Sequence, residues 1–145
     1  MKRFSFNLEK LLQLRGFEEK NAKTELAAAI SVAERIKLDL RNTAAERVRV
    51  NKTRNDTVDI RSLMTVENYV NRLDLRKEEL LEQLAAAELT IEEKRKSFTA
   101  AMQKRSVLDK LKEKQFAQWR KESMSAEENA LEDAVYGAKY TKENL

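Results

Sequence analysis

The sequence predicts an all-α protein, a long two-helix antiparallel coiled-coil hairpin with an overhanging C-terminal helix, and three observations predict it. The 145 residues include no proline and two glycines, so almost nothing interrupts a helix. Charged residues make up 37% of the chain and aromatics 6%, a balance that suits a thin seam between helices better than a globular core. Apolar residues recur at alternating steps of four and three along two separate stretches, which is the pattern of a coiled-coil face. The whole chain, 1–145, therefore reads as a single coiled-coil domain.

The first helix is expected over about 5–50. Its stripe runs Leu8, Leu12, Arg15, Glu19, Ala22, Leu26, Ala29, Ala33, Ile36, Leu40, Thr43, Arg47 and Val50, nine of the thirteen being apolar. A bend is expected over about 51–62, in NKTRNDTVDIRS, because Asn and Asp favour turns and this is the least apolar stretch. The second helix follows over about 63–136. Its stripe is Leu63, Val66, Val70, Leu73, Lys77, Leu80, Leu84, Ala87, Ile91, Lys94, Phe98, Ala101, Arg105 and Leu108, with eleven of fourteen apolar. Residues 137–145 read as a frayed tail beyond Gly137.

Folding the chain near Asp56 lays the stripes antiparallel. Facing residue numbers that sum to 113 match the spacing at every layer, and so does a shift of one heptad. Two details favour 113: Ala27 to Ala29 then lies beside Ala85 to Ala87, and Glu19 faces Lys94 across the seam. Leu26 would lie near Ala87 and Leu40 near Leu73, while Arg15 would meet Phe98 in a cation–π layer. In this register Leu8 pairs with Arg105, and everything after about Asp109 has no partner on the first helix. That overhang carries Leu111, Phe116, Trp119, Met124, Leu131 and Val135, an apolar face that a lone helix cannot bury. Phe4, Phe6, Leu8 and Leu12 lie beside its base, so both chain ends would form one apolar, basic tip. As members of an overhang, Phe116 and Trp119 are expected to contribute little to the paired core.

Charge is uneven although the net is +4. Ten Lys and Arg lie between Lys94 and Lys121 against Asp109 and Glu113, and an acidic patch follows at Glu122, Glu127, Glu128, Glu132 and Asp133. A basic run of this kind reads as a solvated face, or as a site for an acidic protein surface or nucleic acid.

Enzyme chemistry is not expected. The chain has no histidine and no cysteine, which removes the commonest general base, metal ligand and thiol nucleophile. Two isolated glycines build no phosphate-cradling loop. The carboxylate pairs Glu18-Glu19, Glu78-Glu79 and Glu92-Glu93 are helical neighbours that point to different faces. No cofactor is implied. The longest uncharged run, LAAAISVA, is too short to span a bilayer, and Asn7, Glu9 and Lys10 interrupt any signal-like apolar stretch, so a soluble cytoplasmic protein is the expectation.

The opening FSFNLEKLLQLRGFEEKNAKTELAAA resembles that of the FliJ family of the flagellar type III export apparatus, where alternating Phe leads into Leu-Glu-x-x-Leu, Leu-Arg, paired acids and an Ala-x-x-x-Leu run. The tail KRSVLDKLKEKQFAQWRKESMSAEENALEDAV is similar to that family's C-terminal pattern. Two departures are Gly16, where a helix former is more usual, and the order Glu132-Asp133. The resemblance implies a coiled-coil stalk that binds and activates the hexameric export ATPase FliI, contacts the export gate protein FlhA and interacts with export chaperones at the cytoplasmic face of the membrane, touching the membrane through partners only. It also implies that the ring-facing tip is the ATPase contact: Phe4, Phe6, Leu8, Leu12, Leu111, Lys112, Lys114, Phe116, Trp119 and Arg120. The gate contact would fall on the other half of the hairpin, at Tyr69 and Leu73. The alternatives are a stalk or scaffold coiled coil of a virulence-type III secretion system, and a nucleic-acid-binding coiled coil using residues 94–121, although no nucleic-acid-reading module is present.

Overall fold

A computed structural model describes residues 2–56 and 59–143 of the chain. Two helices account for nearly all of them: α1, Glu9–Asn55, and α2, Ile60–Glu143. The Phe6 carbonyl accepts the Glu9 N–H at 3.1 Å at the start of α1, and Glu9 sits in the first turn, where a carboxylate complements the helix dipole. Asp59 caps α2, its side chain accepting the Arg61 N–H at 3.4 Å. The predicted bend, 51–62, includes residues 57 and 58, which lie outside the described residues; α1 and α2 extend into it from both sides. α1 is continuous through Gly16, and α2 passes Gly137 and reaches Glu143. Neither glycine has positive φ, so Gly137 does not form the left-handed cap that would end a helix there. Residues 144 and 145 of the expected tail lie outside the described residues.

The chain divides into two compact units, one made of residues 1–18 and 101–145, the other of residues 19–100. In the second unit, α1 and α2 pack antiparallel around Ala33, Ile36, Leu80 and Ala87, with Leu40, Leu84 and Ile91 against them. Every one of these residues belongs to the two stripes, as do the buried Val50 and Val70. Leu80 is 1% exposed, and its burial is worth about 2–3 kcal/mol.

The register differs from 113. Lys94 reaches Glu25 at 3.2 Å instead of Glu19, Arg47 holds Asp74 at 2.7 Å, and Arg54 pairs with Glu67. The paired numbers sum to about 120, one heptad beyond the expectation, as the seven-residue repeat permits. Arg15 pairs with Glu18 on its own helix at 3.0 Å rather than meeting Phe98. Ala33, not Leu26, shares a cluster with Ala87, and Leu40 packs against the cluster that contains Leu80. The physical reason lies in which residues become level. The slip matches Ala33 with Ala87 and Val50 with Val70, four buried positions, while Ala27 and Ala28, which lie off the stripe in either register, are exposed. It also moves the charge of Lys94 from a seam pairing to an exposed flank, where an ion pair incurs little desolvation.

The same slip brings polar stripe residues together. Thr43 and Lys77 become level, and with Arg47 and Asp74 they line an open groove of about 480 Å³ whose apolar walls are Leu40, Ala44, Val48, Leu73 and Leu81. The seam is therefore dry around Ala33 and poorly filled around Thr43.

The register predicts opposite outcomes at two nearby alanines. Ala33→Leu, at a position 2% exposed, should overpack the seam and cost about 1–3 kcal/mol in urea denaturation. Ala28→Leu, on the exposed side, should change stability by less than about 0.5 kcal/mol. The reverse ranking would place Ala28 rather than Ala33 in the seam.

Candidate functional site

The residues assigned to the ring-facing tip all fall in the unit made of the two chain ends. Residues 2–8 precede α1 and are not helical, although the expected helix begins at about 5. Phe4 and Phe6 explain the later start. Side chains two apart lie far around a helix, so a helical start would not turn both rings to one side. Phe6 is 7% exposed and Phe4 is half-buried.

Phe4 is the centre of an aromatic cluster with two residues of α2. Its ring meets Phe116 edge-on at 5.2 Å and Trp119 at 5.8 Å, while Phe116 and Trp119 stack at 5.7 Å with an interplanar angle of 28°. All three distances lie in the range where aromatic pairs attract beyond simple burial. The Trp119 Nε1–H donates to the Lys2 carbonyl at 3.2 Å, so the indole's polar edge is satisfied as its face is covered. One turn earlier on α2, Lys112 pairs with Glu9 at 2.8 Å. Within this unit, too, the paired numbers sum to about 120, and the consequence is direct. The chain's start accompanies α2 as far as Trp119, so the overhang does not begin after Asp109. Phe116 and Trp119 are packed residues, contrary to their expected place outside the paired structure.

The true unaccompanied stretch comes later. From Met124 to Glu143 every residue of α2 is exposed, including Met124, Leu131, Val135, Tyr136 and Tyr140. Its first half carries Glu127, Glu128, Glu132 and Asp133 with no Lys or Arg among them. The other tip residues vary in exposure: Leu12 and Leu111 are half-buried, Leu8 is partly exposed, and Lys114 and Arg120 lie open to solvent. The Gln118 amide donates to Glu122 at 2.9 Å at the boundary between the basic and acidic stretches.

Tyr69 and Leu73 lie in the other unit, on α2. The Tyr69 hydroxyl donates to Glu46 Oε1 at 3.0 Å, and the same carboxylate takes the Arg49 guanidinium at 2.9 Å. Hydrogen bonds from Arg49 first and Tyr69 second hold the Glu46 carboxyl down at about 2, and the bond to Glu46 in turn raises the Tyr69 phenol. Leu73 is a half-buried wall of the groove near Thr43. Neither the Glu46 network nor the Lys2 carbonyl was signalled by heptad spacing, because both are contacts of flanking or backbone groups. The Phe-x-Phe alternation at the start was the one period-two signal available. Among the described residues no group of three or more acidic, histidine or cysteine side chains is placed to hold a metal ion, and no helix is long and apolar enough to cross a membrane.

Two outcomes follow from these contacts. Trp119→Ala should lower stability by about 1–2 kcal/mol, less than for a fully buried ring, as read by thermal melting; an unchanged melting temperature would return Trp119 to the solvent-exposed overhang. Tyr69→Phe should lower the melting temperature at neutral pH. A carboxylate with a depressed folded pKa stabilises above its ordinary value of 4.5 and loses that contribution as pH falls towards about 2, so the difference between the two proteins should shrink over that window. A difference independent of pH would assign the effect of Tyr69 to its ring.

Comparison with known proteins adds family membership to this geometry. A search of curated proteins finds no match. A solved chain described as a candidate YscO homologue, CT670 from Chlamydia trachomatis, is 16% identical, with a TM-score of 0.40 over 90% of each chain. The family model described as the flagellar FliJ protein matches residues 4–136, from the aromatic opening into the last stretch of α2. With nearly the whole chain inside that match, the protein belongs to the flagellar FliJ family.

Proposed function

We propose that this chain is the coiled-coil stalk of a flagellar export apparatus, and that it binds and activates the hexameric export ATPase FliI through the unit containing both chain ends. The observation that carries this reading is the composition of that unit. A cluster of three aromatic rings, with Phe116 44% exposed, sits on a helix that bears exposed cations at Lys114, Arg120 and Lys121. The same helix continues beyond Met124 with Leu131, Val135 and Tyr136 exposed. A partially exposed aromatic anchor ringed by charge is the composition of a protein-binding hot spot. An acidic ring interior would steer the basic stretch into place. At the opposite extreme of function, Tyr69 and Leu73 remain the assigned contact with the gate protein FlhA, and export chaperones are the further partners. These contacts would hold the protein at the cytoplasmic face of the export apparatus.

Stimulated ATP hydrolysis on adding the purified chain to the export ATPase is the direct test. Lys114→Glu with Arg120→Glu should slow association by about tenfold at low ionic strength and by much less in high salt, because a Debye length of about 3 Å at 1 M removes steering. Lys112 is left out of that variant, since reversing it would place like charges at the Glu9 contact. Absence of stimulation by the wild-type chain would reject the reading. A charge-reversal effect independent of salt would reject the steering role of these two residues.

A further inference from the structure

We infer that residues Lys2 to Ser5 are a removable cover over an aromatic docking face of α2, and that the ATPase engages this face by replacing them with an extended segment of the same chemistry. This rests on the ATPase reading above and adds what the site recognises and how the free protein restrains it. Phe116 and Trp119 stand three apart on α2 and stack on each other, so their face exists without Phe4. What lies on that face shows what it accepts. A carbonyl oxygen takes the indole Nε1–H, and an aryl ring two residues later meets the edge of one ring and the tilted face of the other. The matching partner element is an extended segment that presents an aromatic side chain two residues after an open carbonyl. Its surroundings should be acidic, because Lys2, Arg3, Lys114 and Arg120 all lie exposed in this unit.

The cover is built to detach separately. Phe6 is 7% exposed and its carbonyl accepts the first N–H of α1, so the chain is anchored at Phe6. The carbonyl that meets the first N–H of α1 belongs to Phe6, so departure of Lys2 to Ser5 leaves that bond in place. Phe116 keeps 44% of its surface open with Phe4 in place, which gives an incoming ring a first contact before exchange. A partner that binds only the uncovered form has its apparent affinity reduced by the covered fraction.

Trp119 is the single tryptophan of the chain, so its fluorescence reports the face directly. The experiment compares the full-length wild type, Phe4→Ala and Trp119→Ala, each titrated with the purified export ATPase, with circular dichroism on the same samples to establish that α1 and α2 persist. In the free protein, Phe4→Ala should shift Trp119 emission to longer wavelength. With the ATPase it should bind about three- to tenfold tighter than wild type, because the internal competitor is gone. Trp119→Ala, which removes the face itself, should bind at least tenfold more weakly. Equal or weaker binding by Phe4→Ala, while the wild type binds, overturns the cover and makes Phe4 part of the contact surface, leaving the ATPase reading intact. Absence of wild-type binding overturns that reading and this inference with it.

Discussion

A helix with a three-and-four apolar stripe can meet its partner in any of several registers, each one heptad apart, and the structure depends on which of them is chosen. The stripe alone gives a seam wherever Leu, Ile and Val recur. The choice falls to residues that break the pattern or flank it. Ala33 and Ala87 permit close approach, Glu25 catches Lys94 beside the seam, and Arg47 and Arg54 find Asp74 and Glu67. Each exposed pair is worth well under about 1 kcal/mol, yet all of them agree on one register, and a discrimination between nearly equal alternatives needs no more than that.

The consequence of the register for function lies in the unit formed by the chain ends. A slip of seven residues decides whether Phe116 and Trp119 stand on a bare helix or beneath the start of the chain. They stand beneath it, with Phe4 on their rings and the Lys2 carbonyl on the indole. The basic surface of α2 is thereby attached to a packed aromatic cluster, which holds the anchor side chains in defined positions. The solitary portion starts at Met124 and is acidic at first. Two stretches of opposite charge thus follow each other along one helix.

Among the described residues the strongly shifted carboxyl is Glu46, half-buried and held down by its bonds to Arg49 and Tyr69, a structural tie between helices. The groove near Thr43 follows from Thr43, Arg47 and Lys77 falling close together in the stripes, where larger apolar side chains would have filled it. The two long helices and the match over residues 4–136 both accord with membership of the FliJ family.

The amino-acid sequence by itself determined the helices, the identity of the stripe residues and the direction of their packing. Heptad spacing and the absence of proline are local properties that persist whatever the partner helix does. Each buried helical residue, from Ala33 to Ala87, could be read from that spacing. The tip residues were legible as a group because aromatics are scarce and concentrated near the two ends. Their arrangement was not. Seven-residue periodicity makes successive registers equivalent in pattern, so only the summed fit of small layers, flanking charges and the Phe4 cluster could separate 120 from 113. The non-helical start of the chain was equally beyond local reading, since Leu8 and Leu12 fit a helix stripe while the contacts of Phe4 and the Lys2 carbonyl depend on rings and an indole N–H that α2 supplies.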